Sequence, residues 1–363
     1  MLKASISHLP FTFIKYYVKG KIYILVVLYN FMVYIYKKTV SGKKYYYLRV
    51  SKRKGDKILV KDIAYLGSSL EKVKKALENL PKYSKEIRKA YKTINNFLES
   101  NRYLERIRKL KLKKDQFIEY NKLLETEACK LHFNTVFKKE NEITKEEIIR
   151  NFIIEFAYNT TSIEGNTIKL NETRKLLQNG LTPKNKSLRE IYDIKNTEKV
   201  FLSLFNYKED ITHDFIQDIH KELMNGIDTR IGYRTTDVRV IRANFKATPF
   251  PYIKADMDLL IKFYNENKNK LHPLVLGSIF HHKFEKIHPF MDGNGRTGRM
   301  LLNFILIKNN YPPLMILNKE RSYYLDALRK ADKINLTDVK EGYNDLTNFI
   351  ADQMIKNYWN IFL

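Results

Sequence analysis

The pattern of apolar and polar positions changes character along the chain of 363 residues. Between residues 32 and 67 lie three runs rich in Tyr, Val and Ile: MVYIYKKTV, KKYYYLRVS and KILVKDIAYLG. Ser41-Gly42 and Gly55-Asp56 separate these runs, and both pairs are typical of tight turns. The pattern predicts a three-stranded antiparallel meander with a basic exposed side.

A helical pattern replaces the strand pattern from about Ser69 to Phe137. Apolar residues there recur three and four positions apart, as in Leu104, Ile107 and Leu110, within long charged stretches. This spacing favours amphipathic helices. We interpret their charges as a solvated face and not as a binding site.

A new unit begins at Ile143. Thr144 and Glu147 have the spacing of a capping box, and IIRNFIIEFAYNTTSIEG then reads as one helix that Gly165 ends. Helical patterns continue to the C-terminus except in residues 234–253, where alternating valines and two prolines predict a short β-hairpin or an extended flap.

The predicted fold is therefore mainly α, with a small β module and a helical linker before the helical core. We expect a basic β module at residues 1–68, a helical linker at 69–142 and a core domain at 143–363. The first helix of the core is expected at about residues 147–165.

One stretch, IYILVVLYNFMVYIY at residues 22–36, is a candidate membrane segment. It has 15 residues and contains Asn30, whereas a spanning helix needs about 20 apolar residues. No small-residue cleavage site follows it, which argues against a signal peptide. We interpret the stretch as a buried strand and expect no membrane partner. Met32 is an alternative start, in which case residues 1–31 are an upstream extension.

The charge of the chain is strongly positive and unevenly distributed. The formal net charge is +26, and residues 1–150 alone hold 35 Lys and Arg against 15 Asp and Glu. Such a bias points to an acidic partner, although heavy use of Lys, Ile, Asn and Tyr can also reflect genome base composition.

The single cysteine, Cys129, excludes an internal disulfide and a multi-cysteine zinc site. It favours a cytoplasmic location. We interpret Cys129 itself as a small buried apolar residue.

The densest chemistry lies in HPFMDGNGRTGR, residues 288–299. A helix pattern precedes it, His288-Pro289 breaks that helix, and a Gly-rich loop leads into a second helix. Glycines at the start of a helix let backbone N–H groups converge on an anion. Arg296 and Arg299 lie three positions apart and their guanidinium groups suit phosphate oxygens. The stretch therefore predicts a polyphosphate site.

Two further residues of this stretch fit a reaction at phosphate. Asp292 would repel a phosphate directly, but it suits a Mg²⁺ ion placed between carboxylate and phosphate. His288 is neutral near pH 7 and can accept a proton from an attacking hydroxyl.

These twelve residues resemble the signature of the Fic (Fido) family, His-x-Phe-x-(Asp/Glu)-Gly-Asn-Gly-Arg-x-x-Arg, at every fixed position. The resemblance implies a Fic-type helical fold and an enzyme that transfers AMP from ATP, with Mg²⁺, to a Ser, Thr or Tyr hydroxyl of a target protein. In family terms His288 is the general base and Asp292 is the Mg²⁺ ligand. The residues expected to hold the nucleotide are Asp292, Gly293, Asn294, Gly295, Arg296, Thr297, Gly298 and Arg299. Phe290 is expected to anchor the loop in the core.

A second stretch, TTSIEG at residues 160–165, resembles the inhibitory motif of the same family through Thr160 and Glu164. The likeness is to the class whose inhibitory helix precedes the signature, of archaeal or bacterial type. We expect Glu164 to pair bidentately with Arg299 and to keep that arginine from the γ-phosphate. Removal of AMP by a water that Glu164 orients is an alternative use of the same residue.

Weaker signals suggest the rest of the site. Val240, Ile241 and Arg242 match the target-docking flap of the family, where strand addition would align the hydroxyl. Tyr324 and Asp332 resemble its adenine side, although a core role for Tyr324 fits equally well. His281 and His282 are interpreted as structural, because neither has zinc spacing to His288.

The N-terminal module resembles segments that precede archaeal Fic proteins and that occur in some transposases. It suggests contact with nucleic acid or an acidic target, or else a dimerisation module. The leading hypothesis is an autoinhibited protein adenylyltransferase that modifies a target protein or itself. The alternative is a nucleic-acid-binding regulator whose core senses ATP.

Overall fold

The computed structural model describes residues 11–18, 21–28, 31–54, 56–238, 246–339 and 341–363. The strands are β1 (Phe11–Val18), β2 (Lys21–Leu28), β3 (Phe31–Val40), β4 (Lys43–Lys54) and β5 (Lys57–Gly67). The first helices are α1 (Leu70–Glu78), α2 (Ser84–Lys89), α3 (Tyr91–Lys109), α4 (Tyr120–Thr135), α5 (Glu142–Ile163), α6 (Leu170–Asn179) and α7 (Leu188–Ser203). The remaining helices are α8 (His213–Met224), α9 (Ile253–Asn267), α10 (Pro273–Ile287), α11 (Asn294–Lys308), α12 (Arg321–Ala331) and α13 (Asn344–Ile361).

Two compact units share these elements, residues 1–102 and residues 103–363. The mainly helical fold with a small antiparallel sheet is the predicted one. The domain boundaries expected at residues 68 and 142 stay predictions.

The N-terminal unit contains the predicted meander, with strand order β3-β4-β5 and antiparallel pairing throughout. Ser41 and Gly42 both have positive φ, 47° and 77°, which matches the twist of the hairpin that they connect. Alternate residues such as Val33, Leu48 and Val50 form the buried face and cluster with side chains of the following helices.

The apolar run at residues 22–36 is not one strand, as the sequence had suggested. β2 ends at Leu28 and pairs with β1, whereas β3 begins at Phe31 and pairs with β4. The residues of this run therefore belong to two different sheets. No helix in the described part of the chain is both long and apolar enough to cross a bilayer.

The helical unit is built around α10 and α11, whose side chains are almost all buried. Its core extends to α4, where Cys129 is fully buried as predicted, and to the C-terminal helix α13. Burial raises the pKa of the Cys129 thiol, so this cysteine is an inert core residue.

The helix that carries TTSIEG begins earlier than predicted. α5 starts at Glu142 because the side chain of Asn141 accepts a hydrogen bond from the Thr144 backbone N–H, 2.9 Å away. The capping box proposed for Thr144 and Glu147 is therefore wrong, and Asn141 is the cap. At the other end, Gly165 has a φ of 106° and ends the helix as expected.

Candidate active site

A cavity of about 270 Å³ lies where α5, α10, α11 and α12 meet. It is lined by Ile163, Glu164, His282, Glu285, His288, Met291, Asp292, Gly293, Asn294, Gly295, Arg296, Arg299, Arg321, Tyr324, Leu325, Leu328, Arg329 and Asp332. Residues separated by more than 150 positions in sequence thus converge on the signature loop.

His288 sits at the turn that ends α10, with a left-handed φ of 53°. Its Nδ1 lies 3.3 Å from the backbone oxygen of Glu285. A carbonyl oxygen only accepts, so this contact places the proton on Nδ1 and leaves the lone pair on Nε2. Burial, the largest cause, lowers the pKa of His288. The imidazole is therefore neutral at pH 7 and able to accept a proton.

Arg234 fixes the backbone at this turn and carries no signal in the sequence. Its Nε donates to the His288 oxygen at 2.9 Å, and its backbone N–H donates to the Pro289 oxygen at 2.9 Å. The side chain is buried, and its other donors bond the backbone oxygens of Thr236 and Thr248. Arg234 thus connects the turn at His288 to two parts of the segment expected to be the flap, one near each end.

The signature loop is held by its own side chains. Both ends of the Asn294 amide bond the backbone of Phe290, each at 2.9 Å. Phe290 is fully buried, as predicted, and stacks on the His220 ring with centroids 3.6 Å apart. Gly293 has a φ of 78°, a conformation that side chains rarely adopt. The Asn294 side chain therefore shapes the loop, and the start of α11 borders the cavity.

The residues that follow in the signature lie behind the loop. The Thr297 hydroxyl donates to the Gly293 oxygen at 2.9 Å. A Cβ at Gly298 would come within 2.7 Å of His281 Nδ1, so glycine permits α10 and α11 to approach closely there. Both support the loop, and neither lines the cavity.

Asp292 directly precedes Gly293 and lines the cavity. One oxygen accepts from the Gly293 N–H at 2.6 Å, and the other pairs with Arg189 of α7. Burial raises the pKa of this carboxyl, but the hydrogen bond from Arg189 and the charge of Arg296 outweigh it. The net shift is downward and Asp292 is ionised.

The donor set at Asp292 can be compared with what Mg²⁺ requires. No group of three or more His, Cys, Asp or Glu residues able to hold a metal occurs among the described residues. Mg²⁺ at phosphate sites commonly uses one or two carboxylates together with phosphate oxygens and water. A single ionised carboxylate beside an anion loop fits that arrangement.

Arg296 is buried and paired with Asp193 of α7. A second nitrogen lies 3.4 Å from the sulfur of Met224 and 3.8 Å from Asp292. Asp193 is another residue that the sequence gave no reason to select. Its own carboxyl is largely buried, and burial raises its pKa despite the nearby arginines.

Arg299 connects the two stretches that resemble family motifs, residues 288–299 and residues 160–165. Its Nε donates to the Thr160 hydroxyl at 2.7 Å. One terminal nitrogen donates both to the Thr160 backbone oxygen at 3.0 Å and to Glu164 Oε1 at 2.6 Å. Only one Glu164 oxygen takes part, so the expected bidentate pairing is wrong. Thr160 occupies Nε, one of the two donors beside Nη2 that a second carboxylate oxygen could use.

The approach of Glu164 depends on Gly295. A Cβ at that position would lie 2.1 Å from Glu164 Oε1. Burial lowers the pKa of Arg299, but the charge of Glu164 raises it. The net shift of the pKa is upward. The arginine is therefore a fixed cation whose charge Glu164 neutralises.

Glu285, also in the cavity wall, was not anticipated from the sequence. Its Oε1 is buried and has no hydrogen-bond partner among the described residues. Burial, followed by the charge of Glu164, raises the pKa of Glu285 to about 8, against the opposing effect of Arg299. This carboxyl is protonated at neutral pH.

The expected adenine side is partly assembled. Tyr324 and Asp332 both line the cavity. The Tyr324 hydroxyl lies 2.5 Å from His281 Nε2, and Asp332 lies 3.0 Å from His282 Nε2. Both histidines are buried, and His282 also lines the cavity; the structural role expected for them stays a prediction. Val240, Ile241 and Arg242 of the expected flap lie outside the described residues.

Comparison with known proteins finds sequences similar to this chain. The Fic/DOC family model matches residues 210–306, which include the signature. A protein adenylyltransferase Fic from Drosophila grimshawi is 33% identical over 205 residues, 54% of this chain and 40% of its own. Protein adenylyltransferase fic-1 from Caenorhabditis elegans is 29% identical over 191 residues, 51% of this chain and 37% of its own.

Solved structures agree in fold. A Fic-domain-containing signaling protein from Bacteroides thetaiotaomicron gives a TM-score of 0.59 at 24% identity, covering 64% of this chain and 94% of its own. C. elegans Fic-1, residues 134–508, gives a TM-score of 0.55 at 24% identity. The match covers 80% of this chain and 82% of the C. elegans chain.

Two properties of the curated relatives bear on the comparison, their length and their source. The chain spans about two fifths of the length of the curated relatives named above. Those relatives are animal proteins, so the expected archaeal or bacterial type is not borne out.

Proposed function

Because residues 210–306 match the Fic/DOC family model, we propose that this chain transfers AMP from ATP to a Ser, Thr or Tyr hydroxyl of a protein and that Glu164 restrains this transfer. One observation carries the proposal. Arg299, the last residue of the signature, is held by Thr160 and Glu164 directly beside the anion loop.

The chemistry assigned to the loop is nucleophilic displacement at phosphorus. His288 Nε2 takes the proton of the attacking hydroxyl, whose oxygen bonds to the α-phosphorus of ATP while pyrophosphate leaves. The positive end of α11, with Arg296 and Arg299, stabilises the negative charge on the phosphates. A Mg²⁺ ion held by Asp292 would neutralise further charge there.

Restraint by Glu164 follows from its position. While its carboxylate neutralises Arg299, this arginine is unavailable to a γ-phosphate, and the carboxylate itself repels phosphate. The Glu164 side chain is 44% exposed and lies at the end of α5, next to Gly165. It can therefore leave Arg299 without unfolding the helix.

The target is a protein hydroxyl, with this chain itself as one candidate. Removal of AMP through a water oriented by Glu164 is an alternative direction for the same site. A cytoplasmic location and a homodimer stay predictions. A nucleic-acid-binding role is a second candidate function, favoured by the outer face of the N-terminal sheet.

The proposal is tested with ATP labelled at the α-phosphate, Mg²⁺ and three proteins: wild type, Glu164→Gly and Glu164→Gly with His288→Ala. We expect strong labelling of protein in Glu164→Gly, weak labelling in wild type and none in the double variant. ATP labelled at the γ-phosphate should leave all three unlabelled. Label from the γ-phosphate, or full labelling without His288, would contradict AMP transfer by this mechanism.

A further inference from the structure

The sheet formed by β3, β4 and β5 has two faces of different chemistry. Its inner face is aliphatic apart from Tyr46 and packs into the core of the N-terminal unit. Its outer face, which we call the tyrosine face, follows from strand alternation and register. It carries Tyr34, Tyr36, Tyr45, Tyr47 and Tyr65. None of these five rings is buried.

Three of the rings form one row across the sheet. Tyr36 pairs with Tyr47, and Tyr47 pairs with Tyr65, so the row crosses β3, β4 and β5 in register. The Tyr47 and Tyr65 rings have centroids 5.3 Å apart, and Tyr45 lies 6.5 Å from Tyr65. Tyr65 is 55% exposed, on an edge strand of this sheet. The row therefore offers aromatic surface to solvent.

The unit that contains these rings is positively charged. Residues 1–102 hold 23 Lys and Arg against 6 Asp and Glu, a net charge of +17. On the face itself, the Arg49 guanidinium lies 3.4 Å above the centroid of Tyr36 and bonds Asp62 at 2.6 Å. Exposed Lys38 pairs with Tyr45 in the sheet register. Aromatic surface and positive charge thus occur together.

We propose that the tyrosine face binds single-stranded nucleic acid, with Tyr47 and Tyr65 stacking on bases and the surrounding cations holding phosphates. Aromatic rings on an open sheet are a recurrent platform for unpaired bases, because every base has a π-face. A duplex hides those faces within its own stack, so duplex binding would use only the charge. The inference is independent of AMP transfer, which belongs to the helical unit.

The first test measures fluorescence anisotropy of labelled oligonucleotides of about 12 nucleotides, a length that spans a platform of this kind. Full-length protein is titrated, without ATP, into oligo-dT, oligo-rU and a duplex of mixed sequence. We expect single strands to bind more tightly than the duplex. Tyr65→Ala and Tyr47→Ala should each weaken single-strand binding about tenfold, and Tyr65→Phe should retain it.

A matched control comes from the same unit. Tyr91 is 66% exposed but lies at the start of α3, which packs on the inner face of the sheet and not on the tyrosine face, so Tyr91→Ala should bind as wild type does. Duplex binding equal to single-strand binding would overturn the proposal, as would wild-type affinity in both sheet variants. No binding of single strands even at low salt would also overturn it, because electrostatic attraction is strongest there.

Cross-strand aromatic pairs also stabilise sheets, so alanine variants can fail through folding. A second experiment avoids substitution. Wild-type protein is irradiated with an oligonucleotide containing 5-iodouracil, and the attached peptide is identified by mass spectrometry. Attachment at Tyr47 or Tyr65 is expected. Attachment confined to lysine-rich helical segments would show contact through charge alone and would overturn the stacking assignment.

Discussion

Arg296 and Arg299 lie one turn apart on α11, both almost fully buried and both paired with a carboxylate, yet their partners differ. Asp193, the partner of Arg296, lies within α7 and its side chain is only 13% exposed. Glu164, the partner of Arg299, lies at the end of α5 and its side chain is 44% exposed. The Arg296–Asp193 pair is therefore enclosed by protein, whereas the Arg299–Glu164 pair has a partner that can move into solvent.

This difference supports our proposal that Glu164 can release Arg299, whereas Asp193 stays paired with Arg296. A buried charge that loses its only partner is strongly destabilised. A charge whose partner is exposed exchanges it for water or ligand at little cost. Thr160 holds the Arg299 guanidinium through two hydrogen bonds and so positions it for Glu164.

The largest expected effect is on stability. Asp193→Ala leaves buried Arg296 without its close partner and with only the 3.8 Å contact to Asp292, so we expect the free energy of unfolding to fall by about 3 kcal/mol. Glu164→Ala should cost less than about 1 kcal/mol. Urea unfolding of the two variants measures both values. Equal losses would show that the two pairs do not differ in the way described.

The next effect concerns pH and the carboxyl beside Arg299. The pKa of Glu285 is about 8 in the folded protein, above its ordinary value of 4.5. Between these values the unfolded chain loses this proton while the folded protein keeps it, so stability falls as pH rises from about 5 to about 8. The slope is at most about 1.4 kcal/mol per pH unit.

Glu285→Gln should remove this dependence, which urea midpoints at pH 6 and pH 8 would reveal. Glu164→Gln should reduce it, because the charge of Glu164 contributes to the raised pKa of Glu285. A difference between wild type and Glu285→Gln that stays constant with pH would refute the assignment.

A smaller effect is expected from Thr160→Val, which removes the hydroxyl that accepts from Arg299 Nε. We expect a loss of about 1–2 kcal/mol in stability, because a buried donor loses its partner. We also expect increased AMP labelling, because Glu164 then binds a less well-held guanidinium. Thr161→Val is the control, since that hydroxyl bonds Ala157 and not the arginine. Similar activation by both variants would argue for general loosening of α5.

The smallest effect is expected from Arg189→Ala. This arginine is half exposed in its pair with Asp292, so the melting temperature should stay within a degree or two. Without it, Asp292 loses its closest competing cation, and half-maximal labelling should need less Mg²⁺. An unchanged Mg²⁺ requirement would mean that Asp292 does not bind the ion.

Local features of this molecule were predictable from sequence because their determinants are contiguous. The turn at His288 and the loop before α11 follow from Pro289 and the adjacent glycines. The contact of Glu164 with Arg299 was predictable only through family resemblance, since the two are 135 positions apart. Its single-oxygen geometry depended on Thr160, whose hydroxyl orientation no pattern encodes.

Residues that act by tertiary contact were missed for a physical reason. Asp193 lies 103 positions from Arg296, and Arg234 lies 54 positions from His288. Each is one charged residue among many, and periodicity does not distinguish a buried charge from a solvated one. The boundary between β2 and β3 was missed because strongly apolar sequence flanks it on both sides.

The central claim is that Glu164, through Arg299, holds AMP transfer off. The most direct test is the initial rate of protein labelling from α-labelled ATP in wild type, Glu164→Gly and Asp193→Asn, at saturating ATP and Mg²⁺. We predict a rate for Glu164→Gly at least about tenfold above wild type, corresponding to 1.4 kcal/mol in the barrier, and no activation in Asp193→Asn. Equal rates in wild type and Glu164→Gly, with ATP bound equally by both, would contradict the account.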